Sequence, residues 1–178
     1  MPGTQHLFTV TRGLLRIAIL VCLFLIGLLG LVLGALALSA AGLLHLPIPA
    51  SEIQGLTMSQ ILSAASIAVA AGEVGIALIA WMFLLTARIV DTASHGDPFV
   101  TENADRLNHI GLLLLAIQVI GLVTDTAMSM FPDKIREHIS AGFGGVSATG
   151  ILAALLIFVL AQIFRRGSEM RAELEGTV

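Results

Sequence analysis

Four stretches of the chain are long, apolar and almost free of charge. Residues 17–44 are broken only by Ser39, and residues 61–87 only by small hydroxyls and Glu73. Residues 110–130 carry Gln118 and Asp125, and residues 143–164 carry small polar groups and Gln162. A helix rises about 1.5 Å per residue, so about 20 mostly apolar residues cross the hydrocarbon of a bilayer. Each stretch predicts a membrane-spanning helix. The fold class that follows is all-α: a polytopic membrane protein, with a four transmembrane helix bundle over residues 17–164. A cytoplasmic N-terminus (1–16) and an amphipathic, helical cytoplasmic tail (165–178) flank it.

The punctuation between the stretches agrees. Pro47 and Pro49 are placed to end the first helix, since proline lacks the donor and clashes with the preceding turn. Thr57 followed by Gln60 is a capping-box pattern opening the second. Gly96-Asp97-Pro98 reads as a turn, Thr101 as the cap of the third helix, and Pro132 as its close. Ile135 and Ile139, one turn apart, suggest a small interfacial helix in the third loop. Arg12, Arg16 and Ala35-Leu-Ala37 imitate a secretory signal. The apolar run is about twice as long as a signal core, so a retained first helix is expected.

Composition narrows the function classes. Hydrophobic residues make up 57% of the 178 and charged residues 12%, the latter about half the roughly 25% of soluble domains. A soluble enzyme, a disordered tail and a disulfide scaffold are excluded on that count. The net charge of −3 leaves no basic surplus for direct nucleic-acid binding. Cys22 is the single cysteine and cannot form an intrachain disulfide. With no Tyr and only Trp81, the aromatic belt is thin.

Charge placement predicts orientation. Seven of the nine Lys and Arg lie in the N-terminus, the second loop and the tail, while only Lys134 and Arg136 lie on the other side. The positive-inside rule puts the seven-cation side, with both termini, in the cytoplasm. The expected location is the bacterial inner membrane.

Small residues mark candidate helix contacts, because they let backbones approach closely in lipid. Gly27, Gly30 and Gly34 line the first helix, and Ala141, Gly145, Thr149 and Ala153 the fourth. The second carries Ser63, Ser66, Ala70 and Ala77 on the side of Glu73. Packing within one bundle is the preferred use of these faces. Homo-oligomer contact through Gly30/Gly34 or Gly145/Thr149 is the other.

Glu73 lies 12 residues into its stretch, about 18 Å deep and near the midplane. Gln118 falls at a similar depth and Asp125 nearer the outer edge, on the same helix face. One polar seam inside the bundle is expected: Glu73 with Gln118, and Asp125 with hydroxyls. No basic side chain lies in the spans to pair with these acids. Intramembrane acids are functional candidates by default, yet neither a second midplane charge nor Gly/Pro-broken helices mark a site at Glu73. A register-fixing hydrogen bond is preferred to a proton or cation step.

The chemistry available to other molecules lies in loop 88–109 and the tail. Phe99 follows a tight turn and should tuck under the bundle, Asn103 can bond nearby backbone, and Glu102 and Arg106 form an i,i+4 pair. Phe164, Gly167, Met170 and Leu174 share one face of a helical tail whose other face is charged, and that tail can pack on the loop, lie on the lipid surface or dock a partner. Asp97, Phe99, Asn103, Arg106, Arg165, Arg166, Met170 and Leu174 are therefore the candidate partner-binding residues. His95 and His109 with Asp97 and Asp105 match no metal-ligand spacing, and no phosphate loop, nucleophile elbow or HExxH is present. No catalytic residue, metal or cofactor is expected.

Two segments carry a family resemblance. Gly96-Asp-Pro-Phe99, Asn103, Leu107 and Ile110-Gly111 in the loop, with Ile163-Phe-Arg-Arg-Gly167 and the acidic tail, resemble the domain-of-unknown-function 2975 family of small four-span bacterial membrane proteins. The chain ends Glu175-Gly-Thr-Val178, so Gly176 stands where the family's pattern has Leu. The resemblance implies no catalytic residues. It does imply pairing with a small helix-turn-helix regulator. The function expected is a non-enzymatic inner-membrane protein that binds a soluble cytoplasmic partner through loop 88–109 and the tail. The alternative is a small proton- or cation-coupled transporter or channel using Glu73.

Overall fold

The computed structural model describes residues 2–45, 55–94, 98–139 and 145–175. Among them the chain is helical: α1 (Pro2–Ala40), α2 (Met58–Ser94), α3 (Thr101–Met128), α4 (Asp133–Ile139) and α5 (Ala148–Glu175). α1, α2, α3 and α5 are each long and apolar enough to cross a membrane. The molecule is a multi-pass membrane protein.

Its surface says the same. The chain exposes 11430 Å², against about 8,200 Å² for a water-soluble globule of this mass. Large apolar side chains such as Phe24, Leu31 and Val123 stand in that exposed surface. In water they would drive association, whereas in hydrocarbon they are solvated.

The helix ends follow from local chemistry. α1 stops in a Schellman motif: Gly42 adopts a left-handed φ of 73°, and the Leu43 N–H donates back to the Leu38 carbonyl at 2.9 Å. The helix thus ends before the expected residue 44, and Pro47 and Pro49 lie outside the described residues. The capping box of α2 is present, with the Thr57 N–H on Gln60 Oε1 at 3.0 Å and the Gln60 N–H on Thr57 Oγ1 at 3.4 Å. For α3 the cap is Val100, in extended backbone and without a side-chain bond. Thr101 is already helical, because the Asn103 N–H reaches the Val100 carbonyl at 3.0 Å.

α5 starts later than residue 143. Ser147 caps it, its hydroxyl accepting the Gly150 N–H at 3.2 Å. At the other end α2 and α5 continue beyond their apolar runs, so α5 carries the tail out as one helix.

The helices pack in chain order, α1 on α2, α2 on α3, and α3 on α5. Among the described residues α1 and α5 make no comparable contact, so the bundle is an open row. α2 sits within it and buries a stripe of Ala64, Ala68, Gly72, Gly75 and Ala80. Of the expected stripe, Ser63 and Ala77 are exposed, while Ser66 and Ala70 are only half-buried. α4 does not merely skim the interface. Its Ile135 is buried against Ala64, Ala68 and Met128, which ties α4 to α2.

Candidate functional site

The end of the molecule that carries both termini holds a dense polar joint. Asn103 is fully buried and spends every bond inside the chain. Its Nδ2 donates to Thr92 Oγ1 at 2.7 Å and to the Pro98 carbonyl at 3.0 Å. Its Oδ1 accepts from Arg106 Nη1 at 2.7 Å. Arg106 also reaches the Arg88 carbonyl at 3.5 Å, and so works across the loop rather than along its own helix to Glu102. Asn103 thereby closes loop 88–109 between the end of α2 and the start of α3.

An aromatic contact fastens the loop to the tail. The Phe99 ring lies 5.2 Å from Phe164, tilted by 41°. A Cβ on Gly167 would sit 2.7 Å from Phe99 Cδ1, so only glycine admits the ring there. Two ion pairs brace the neighbours: Arg165 with Asp105 at 2.6 Å, joining α5 to α3, and Arg12 with Asp91 at 2.7 Å, joining α1 to α2. Arg12 also donates to the Ser94 hydroxyl. Exposed pairs of this kind stabilise by about 0–1 kcal/mol, so their effect is positional. Met170 and Leu174 project beyond the joint at 61% and 71% exposure. Asp97 and His95 lie outside the described residues.

The intramembrane polar groups fall into two separate places. Glu73 Oε1 faces α1, 3.6 Å from where a Gly30 Cβ would stand. Gln118 and Asp125 serve α5 instead. Gln118 Oε1 accepts the Ser147 N–H at 2.8 Å, and Asp125 Oδ2 accepts the Gly145 N–H at 2.6 Å. The single seam expected from depth alone is not formed, because Gln118 turns towards α5 and Glu73 towards α1.

The physical reason lies in backbone hydrogen bonding. Gln118 precedes the end of α3 by ten residues, or about 15 Å, so α5 begins at that depth. Non-helical backbone within a membrane needs protein acceptors. Asp125 and Gln118, seven apart on one face, supply them to Gly145 and Ser147. Gly145 is accounted for by this contact, and Thr149 is exposed. The sequence signal for this arrangement was Ser147 three residues before Gly150.

A family model described as a protein of unknown function, DUF2975, matches residues 45–178. The chain belongs to this family. No curated protein and no solved structure matches it. The DUF2975 match spans α2 to α5 and therefore every residue of the joint except Arg12, Asp91's partner from α1. Of the residues that carry the DUF2975 resemblance, several are structural there: Leu107 and Ile110 are buried. Gly111 lies against Phe158, whose ring would be 2.7 Å from a Cβ. Among the described residues no three His, Cys, Asp or Glu side chains gather as a metal site.

Proposed function

We propose that this DUF2975 protein is a non-enzymatic component of a bacterial inner membrane that holds a soluble cytoplasmic partner. Its orientation follows from the positive-inside rule, with both termini in the cytoplasm. The partner class, a small helix-turn-helix regulator, comes from the family resemblance. One observation carries the reading: the Phe99–Phe164–Gly167 joint fixes the loop against α5 and leaves Met170 and Leu174 exposed past it. An apolar helix face beyond the membrane suits docking in a groove of a partner. Asn103 and Arg106 are engaged inside the chain, so they position this surface and do not touch the partner.

The test is co-purification in detergent with a co-expressed small helix-turn-helix protein. Wild type should retain it, and Met170→Asp with Leu174→Asp should lose it while the membrane fold persists. Equal recovery by both, or recovery by neither, overturns the proposal.

A second reading has one observation of its own. Glu73 is half-buried, and among the described residues no side-chain hydrogen bond or ion pair engages it. A carboxylate so placed suits a proton or cation step. That reading expects Glu73→Gln to abolish a proton-coupled flux in liposomes, and it fails if the variant behaves as wild type.

A further inference from the structure

The geometry points to a binding site for one phospholipid with a zwitterionic, amine-bearing headgroup, between α3 and α5 at the end that carries both termini. A cavity of about 400 Å³ opens there. Its polar lining is Asn108 of α3 with Gln162, Arg165, Arg166 and Glu169 of α5. Phe158 lines the same cavity eight residues before Arg166, about 12 Å further into the span. Phe158, Gln162 and Arg166 form a ridge at one-turn spacing. Across that ridge runs an apolar groove of about 440 Å³ with Leu155, Val159 and Ile163. Polar groups at one end and an apolar groove continuing into the membrane are the two halves of an amphiphile's environment.

The charges select the headgroup. Arg165 is already neutralised by Asp105 at 2.6 Å. Arg166 and Glu169 are one turn apart and line one cavity. Among the described residues neither side chain has an ion pair or a hydrogen bond, not even with the other. A free guanidinium and a free carboxylate facing one space fit a ligand that brings both a phosphate and an ammonium. Arg166, with amide donors from Asn108 and Gln162, takes the phosphate, since charge-assisted bonds to phosphate are among the stronger ones. Glu169 takes the ammonium. A headgroup with only negative charge would meet Glu169 as a like charge. Basic pockets between spanning helices at the cytoplasmic side are a known form of lipid recognition, and here the acidic member narrows the class to aminophospholipids. The site does not rest on the partner reading, which uses Met170 and Leu174.

Native mass spectrometry of the full chain in detergent tests it. Three probes are added at equal concentration: dioleoylphosphatidylethanolamine, dioleoylphosphatidylglycerol and chainless glycerophosphoethanolamine. The ethanolamine lipid should be retained about tenfold over the glycerol lipid, with no adduct from the chainless headgroup. Arg166→Gln and Glu169→Gln should each cut that retention about tenfold. Both positions are exposed, and unchanged helical circular dichroism confirms the fold. Ile163→Trp, which fills the apolar groove and keeps every charge, should cut retention as well. Equal retention of the two lipids, equal binding of the chainless headgroup, or wild-type retention by the variants overturns the site. Met170→Asp with Leu174→Asp should leave lipid retention unchanged, which separates this result from that of the partner experiment.

Discussion

Asn103 shows how much one buried amide can organise. It satisfies a hydroxyl, a carbonyl and a guanidinium at once, from three segments of the chain. Asn103→Leu keeps the volume and strands all three partners, so it should destabilise by about 2 kcal/mol or more. Thermal unfolding in detergent measures that directly. Asn103→Asp retains an acceptor for Arg106 and should cost less. Glycines make the same point by contrast. A Cβ on Gly150 would run into the Gln118 side-chain amide, whereas nothing lies within 4 Å of Gly34. Gly150→Ala should therefore displace Gln118 from the Ser147 N–H and destabilise by about 1–3 kcal/mol. Gly34→Ala should be neutral or stabilise by up to about 1 kcal/mol, from helix propensity alone. In a Gln118→Ala background most of the Gly150→Ala penalty should vanish, and a double-mutant cycle would read that coupling.

Between helices, close approach at single glycines sets the geometry of the joint. Gly167→Val should push Phe99 off α5 and free the loop from the tail. A cysteine at Val100, in a chain whose own Cys22 is replaced by Ala, should then react several-fold faster with a water-soluble maleimide. An unchanged rate would mean that Phe99 does not fasten the loop. The helices themselves were legible in the sequence because span length and apolar content are crude, robust signals. The Thr57–Gln60 box and the docking of Phe99 were legible because their chemistry is local. Which face of α2 is buried was not legible. A helix apolar all round has no amphipathic stripe, and lipid supplies little hydrophobic drive to choose one. The partners of Gln118 and Asp125 were also hidden. Depth counting placed Gln118 level with Glu73, but the unsatisfied backbone before α5 claimed it first. The Thr101 side chain suits a cap, yet Val100 holds that position by backbone alone.

For the molecule as a whole, the open row of helices leaves most side-chain surface to lipid, and orientation is the property to test next. With Cys22 replaced by Ala, a cysteine at Glu169 should be labelled only from the cytoplasmic side and one at Arg136 only from the opposite side. The reverse pattern would overturn the proposed topology and the partner reading with it. The deep start of α5 also bears on the membrane around it. From Ala148 to Phe164 its apolar length is 17 residues, about 25 Å, while a typical hydrocarbon core is about 30 Å thick. Along that edge of the protein the leaflet opposite the two termini must dip to meet the helix, or polar backbone would face oil. Such hydrophobic mismatch costs fractions of a kcal/mol per ångström and sorts proteins between bilayers. Reconstituted into phase-separated vesicles, this chain should collect in the domains built from shorter acyl chains, drawn there by the side of the molecule that α5 leaves short.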